Sequence, residues 1–241
     1  MNAPLSASTR TVLARHATAD GEIQLQQRLW PDGAAAFEII ANGVFLMASY
    51  NQSSERALAS YALQAISAPP TAKLRLLIGG LGMGFTLQQA LDDRVAPCAD
   101  AVDVVEISPH IIAWNRTHFA ALNGNAFADP RVTLIQADLY HVLATAAPAA
   151  YGAILLDVDN GPSWLAYEHN EQLYTLAALK RWSEMLVPGG VLAVWSAQRE
   201  PEFQARMATV FSNTEEVAVT AAISHNRQAE FFIYYGIKAG T

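Results

Sequence analysis

The stretch from Leu74 to Leu91 constrains this chain more than any other. A short apolar strand, Leu74–Ile78, opens directly into Gly79-Gly80-Leu81-Gly82-Met83-Gly84, and a helical stretch, Gly84–Leu91, follows. Glycines let the backbone turn tightly and approach a ligand, and the helix that follows offers free N–H groups at its start. Beyond this point short apolar strands alternate with helices. Strands are expected at Ala101–Glu106, Val132–Gln136, Ala153–Asp157, Val191–Ser196, Val217–Ala221 and Phe231–Ile237, and helices at Ile111–Leu122, Glu171–Leu186 and Pro201–Val210. Such alternation implies an α/β fold with a mostly parallel seven-stranded sheet covered on both faces.

The glycine spacing narrows the ligand. A dinucleotide fingerprint, G-x-G-x-x-G, would put its last position at Phe85 or Leu87, and neither is glycine or alanine. No Gly-Lys-Ser or Gly-Lys-Thr follows, which excludes a P-loop. Gly80-x-Gly82-x-Gly84 instead has the form seen in Rossmann-like folds of the class I methyltransferase type, making Gly80, Gly82 and Gly84 cofactor-binding candidates. Glu106 closes the next strand, where a carboxylate can accept both ribose hydroxyls. Asp138 ends the third strand and suits either the adenine amine or the N-cap of the next helix. The fourth strand delivers Asp157-Val158-Asp159-Asn160-Gly161-Pro162. Ligands on doubly wound sheets bind outside the carboxyl ends of the strands, so Asp157 emerges where a ligand would react. Asp159 and Asn160 belong either to that site or to the turn.

Upstream, Met1–Asp20 is small, polar and unpatterned, and is expected to be loosely held. Ile23 and Leu25 alternate with polar neighbours as on a strand. Ala36–Ile40 and Val44–Ala48 flank Asn42-Gly43, the preferred two-residue hairpin turn. Ser54–Ile66 carries Leu58, Tyr61, Ala62 and Ala65 at helical spacing, and Pro69-Pro70 stops it. The expected organisation is a small N-terminal β-hairpin unit, 1–53, and a catalytic domain, 54–241.

Net charge −7 with no long basic run argues against nucleic acid as partner. No apolar run is long enough to cross a bilayer, and Cys98, the only cysteine, allows no intrachain disulfide. A cytoplasmic protein is expected.

Together these pieces resemble the spermidine synthase (polyamine aminopropyltransferase) family. The resemblance runs from Ile23 onward. It rests on Asn42-Gly43-Val44, the Gly79–Gly84 loop, Val105-Glu106-Ile107-Ser108-Pro109 and Asp129-Pro130-Arg131-Val132. It continues through Gln136-Ala137-Asp138, the Asp157–Pro162 turn and Leu186-Val187-Pro188-Gly189-Gly190. It implies transfer of an aminopropyl group from decarboxylated S-adenosylmethionine to an amine such as putrescine, releasing methylthioadenosine. The S-adenosyl donor is a co-substrate, with no tightly bound cofactor and no metal. Glu106 would hold the ribose, Asp138 the adenine side, and Asp157 would take the catalytic acid's place; the family also suggests a homodimer or homotetramer.

The amine half departs from the family. Asn160 stands where a second Asp is usual, with Asp159 as the candidate substitute. The family's Asp-Glu-x-x-Tyr-His-Glu segment is here Ser54-Glu55-Arg56-Ala57-Leu58-Ala59-Ser60, which keeps Glu55 alone, and Gln52 is the candidate for a missing glutamine. Asn160, Glu55 and Gln52 are thus the substrate-binding candidates. The alternatives are methyl transfer from S-adenosylmethionine on the same fold and a non-catalytic nucleotide-binding homologue. Tyr167, Glu168, His169 and Asn170 follow the Asp157 turn as either a lid over the pocket or, more commonly for such a polar cluster, surface loop; His110 and His118 have the wrong spacing for a helical metal pair, and the tryptophans read as packing.

Overall fold

Alternation of apolar and polar residues builds the first layer. The computed structural model describes residues 8–18, 21–67, 73–92, 99–158, 160–165, 168–224 and 227–240, without the side chains of Glu168 and Ser224. Pro69, Pro70, Cys98, Asp159, Tyr167 and His225 lie outside the described residues. Strands β1 (Thr9–Thr18), β2 (Gly21–Leu29), β3 (Ala35–Ala41) and β4 (Val44–Ala48) form an antiparallel sheet in sequence order. Asn42 and Gly43 both take positive φ in the β3–β4 turn, as the dipeptide requires. The expectation of a loosely held N-terminus is corrected over Thr9–Thr18: β1 pairs along β2 from Thr9↔Leu29 to Thr18↔Gly21. Its residues are mostly exposed, so no buried face marks the strand in the sequence.

Helix α1 (Ser53–Ala65) leads into the second sheet. Its strands are β5 (Arg75–Gly79), β6 (Ala101–Val105), β7 (Val132–Ile135), β8 (Tyr151–Leu156), β9 (Leu186–Ser196), β10 (Ser212–Ser224) and β11 (Arg227–Ile237). The order is β10-β11-β9-β8-β5-β6-β7; β7, β6, β5, β8 and β9 run parallel, and β11 is antiparallel to both its neighbours. This is the mostly parallel seven-stranded sheet of the expected fold. The connecting helices are α2 (Phe85–Ala90), α3 (Pro109–Thr117), α4 (Leu139–Thr145), α5 (Leu176–Met185) and α6 (Pro201–Met207).

The strand period of two sorts the core. Leu76, Ile78, Val104, Leu155 and Ala193 pack with residues of α1, α2 and α3, whereas Leu77, Ile154, Leu156 and Val194 pack with α4, α5 and α6. A third cluster joins Ile23, Leu25 and Ile39 of the first sheet to Met83, Phe85, Trp114 and Phe119. The N-terminal sheet is thereby seated over the glycine loop and α3. Because five strands run parallel, their carboxyl ends lie along one edge, and that edge carries the site.

Candidate active site

The turn after β5 is held to both neighbouring strands. Gly80 donates its N–H to the Val105 carbonyl (2.9 Å), and the Asp157 N–H donates to the Gly79 carbonyl (2.8 Å). Gly80 has φ +88°, and a Cβ there would stand 2.1 Å from the Asp157 carbonyl oxygen. Only glycine lets the loop and the end of β8 come this close. Gly82 opens onto the same cavity, beneath Met47 of β4. Gly84 does not line it. It sits left-handed at the N-cap of α2, where a Cβ would meet Asn123 and Asn115.

The cavity has a volume of about 510 Å³, within the usual range for small-molecule sites. It brings together Glu55, Gly80, Gly82, Glu106, Asp138, Asp157 and Asn160. Glu106 is buried at the end of β6, accepting the N–H of Leu81 (3.0 Å) on one carboxylate oxygen and that of Ser108 (2.8 Å) on the other. Burial raises its pKa, while these N–H groups and those of Gly82 and Ile107 oppose the rise. Each carboxylate oxygen can accept two hydrogen bonds, so the group is oriented and still able to receive hydroxyls. Asp138 caps α4 by accepting the Tyr140 N–H (2.8 Å) and also lines the cavity.

Two acids meet at the centre. Asp157 opens to the cavity from deep within the fold, and burial pushes its pKa up to about 6. Its Oδ2 accepts the Thr86 hydroxyl at 2.7 Å, which draws the pKa back down. Glu55, on the first turn of α1, is only 4% exposed. Desolvation, and then the negative charge of Asp157, push its pKa up to about 8; the Ser54 hydroxyl donates to it at 2.8 Å. Near neutral pH the pair therefore holds one proton, on Glu55, and one negative charge, on Asp157. An ionised carboxylate beside a neutral one is suited to orient an amine and take its proton.

Asn160 lines the cavity and is 8% exposed, its carbonyl accepting the Ala197 N–H. Gln52 is not among the residues lining the cavity: it precedes α1, donates its amide to the Ser49 carbonyl and accepts Arg56 (2.8 Å). Asp159, expected as a second catalytic acid, lies outside the described residues.

Several contributors escaped the sequence reading. His169 and Asn170, weighed as pocket lid or surface loop, line the cavity. So does Trp195, buried against Phe231 (centroids 5.4 Å apart) with its indole N–H unpartnered. It follows Val194, which pairs with Leu156, and so stands beside Asp157 at the sheet edge. Ala17, Thr18, Ile23, Ile39, Leu46 and Met47 form a wall from the N-terminal sheet. His16 of β1 stacks on His110 of α3 at 3.9 Å, a contact between residues far apart in sequence. Among the described residues no lysine or arginine lines the cavity, and no three His, Cys, Asp or Glu side chains gather as a metal site.

A glycine turn after the first strand of the large sheet, Glu106 ending the second and Asp157 following the fourth lie on a Rossmann-like fold of the methyltransferase type. Within that class the fold is the one seen in spermidine synthases. It superimposes on spermidine synthase from Thermotoga maritima with a TM-score of 0.72 at 17% identity, covering 95% of this chain and 74% of that one. A spermidine synthase in complex with the transition-state analogue AdoDATO gives a TM-score of 0.74 with the same identity and coverage. In sequence the chain is similar to putrescine N-methyltransferase 3 of Nicotiana tabacum, 34% identical over 125 residues, which are 51% of this chain and 30% of that protein. It is also similar to a polyamine aminopropyltransferase of Aeropyrum pernix, 26% identical over 155 residues, 60% of this chain and 46% of the relative. The matched stretches thus span less than half of these relatives. No protein-family model matches the chain. All these relatives are transferases.

Proposed function

We propose that this chain is an aminopropyltransferase that binds decarboxylated S-adenosylmethionine and passes its aminopropyl group to an amine. The observation that carries the reading is the Glu55–Asp157 pair in the cavity that also holds the glycine turn, Glu106 and Asp138. Glu106 takes the ribose hydroxyls and Asp138 the adenine side. The donor's sulfonium and amino group, and the acceptor's ammonium, are cations facing four acidic side chains. The carboxylate of intact S-adenosylmethionine would face ionised Asp157 with no lysine or arginine on the described wall to receive it, a repulsion that grows in a desolvated site.

Asp157 orients the acceptor amine. Once the bound ammonium has lost a proton, the nitrogen lone pair attacks the methylene carbon beside the sulfonium, the carbon–sulfur bond breaks, and its electron pair neutralises sulfur as methylthioadenosine forms. The proton lost from nitrogen passes to Asp157, whose pKa of about 6 leaves it ionised and ready near neutral pH. The sulfonium is a good leaving group, so alignment supplies most of what the protein must add.

Methyl transfer from S-adenosylmethionine to an amine is the second reading, favoured by the similarity to putrescine N-methyltransferases and by Asn160 in place of the family's second acid. It uses the same base and releases S-adenosylhomocysteine. Incubating the protein with each donor and a panel of amines distinguishes the two by the nucleoside released. Asp157→Asn should abolish most turnover and leave nucleoside binding nearly intact; full activity in that variant would remove Asp157 as the base. We include in the proposal a homodimer or homotetramer joined through the N-terminal sheet, where Val12, Leu13, Leu29, Val44 and Phe45 are exposed.

A further inference from the structure

Thr86 occupies an unusual place. It lies in the first turn of α2, two residues past the last glycine of the turn, and is only 3% exposed. Its hydroxyl reaches two oxygens from different elements: Oδ2 of Asp157 after β8 at 2.7 Å, and the backbone carbonyl of Glu55 in α1 at 3.2 Å. A hydroxyl has one proton to give. The shorter contact, to an ionised carboxylate, is the stronger acceptor and takes it.

We propose that Thr86 is a positioning residue for Asp157: its hydroxyl pins Oδ2, leaving Oδ1 as the single oxygen turned to the acceptor amine. The inference rests on Asp157 as the base of the proposed function. Once Asp157 takes the amine's proton on Oδ1, Oδ2 becomes a weaker acceptor and the Thr86 O–H can turn to the Glu55 carbonyl. Both protonation states of Asp157 then leave Thr86 hydrogen-bonded, and no buried polar group is stranded during turnover. Glu55 is the titratable neighbour facing Asp157 from α1; the other titratable groups on the described cavity wall are Glu106, Asp138, His110 and His169.

The test replaces Thr86 by valine, which keeps the branched shape and removes the hydroxyl, and by serine, which restores it. Losing a charge-assisted hydrogen bond should move the acid limb of the kcat/KM profile upward by about one pH unit. Thr86→Val should therefore lose about threefold at pH 6.5, recover toward wild type above pH 8, and bind methylthioadenosine unchanged; Thr86→Ser should keep the original profile. A limb that stays in place with valine, or activity lowered equally at every pH, overturns the proposal. Thr86→Ala carries the same test should the valine variant not fold. A second arm needs no turnover: the stability difference between Asp157 and Asp157→Asn is followed against pH, once in the parent chain and once in a chain already carrying Thr86→Val. Its inflection should rise by about one pH unit without the hydroxyl, and an unmoved inflection refutes the role. If no amine is consumed by the parent protein, the functional reading fails while this arm still decides on Thr86.

Discussion

Glu55→Gln should stabilise the protein, and the gain should grow with pH. In the folded chain Glu55 is buried and faces Asp157, which raises its pKa to about 8 from the ordinary 4.5. A carboxyl whose folded pKa is raised contributes stability that is fully present below its unfolded value and lost as pH rises through its folded value. Between these limits the unfolded chain releases a proton that the folded chain keeps. Each pH unit in that window costs about 1.4 kcal/mol, giving a loss of about 3 kcal/mol near pH 7 relative to strongly acidic solution. Glutamine has the same shape and accepts the Ser54 hydroxyl, but it does not titrate. The stability of Glu55→Gln over wild type should therefore increase by about 2 kcal/mol between pH 5 and pH 7, and further toward pH 9. Urea unfolding of both proteins across this range measures it. A difference that stays flat or shrinks with rising pH would mean that Glu55 is ionised in the folded chain, and the picture of a shared proton with Asp157 would fall.

The remaining expectations are briefer. Gly80→Ala places a Cβ 2.1 Å from the Asp157 carbonyl in a left-handed conformation, so the loop or the end of β8 must move. It should cost at least about 2 kcal/mol of stability and most of the turnover, and an alanine variant with both intact would refute the tight approach. Glu106→Gln replaces one acceptor oxygen by an N–H₂ facing the Leu81 or Ser108 N–H. Calorimetry should show methylthioadenosine bound at least about tenfold more weakly, and unchanged affinity would remove Glu106 from the ribose.

Local chemistry made much of this molecule legible. The hairpin followed from Asn42-Gly43, the sheet from the alternation of apolar strands and helices, and the ligand edge from glycines placed directly after a strand. Strand β1 escaped because Thr9–Thr18 exposes nearly all its side chains; its pairing with β2, not a buried face, holds it. Helix α4 is only seven residues long, too short for a periodic signal, and is foreshadowed solely by the capping potential of Asp138. Gln52, proposed as a substrate contact from family position, is engaged by Ser49 and Arg56. Thr86 and Trp195 carry no motif: one sits in a helix that reads as ordinary, the other in a strand whose apolar run reads as core. Their proximity to Asp157 arises only when β8 and β9 pair and α2 packs beneath α1. His16 and His110, brought together where the N-terminal sheet meets α3, are invisible to spacing for the same reason.

Calorimetric titration with S-adenosylmethionine, its decarboxylated form and methylthioadenosine tests the proposed function most directly. A cavity with four acidic side chains and no lysine or arginine on its described wall should bind decarboxylated S-adenosylmethionine and methylthioadenosine clearly more tightly than S-adenosylmethionine. Equal or tighter binding of S-adenosylmethionine would contradict aminopropyl transfer and favour a methyltransferase.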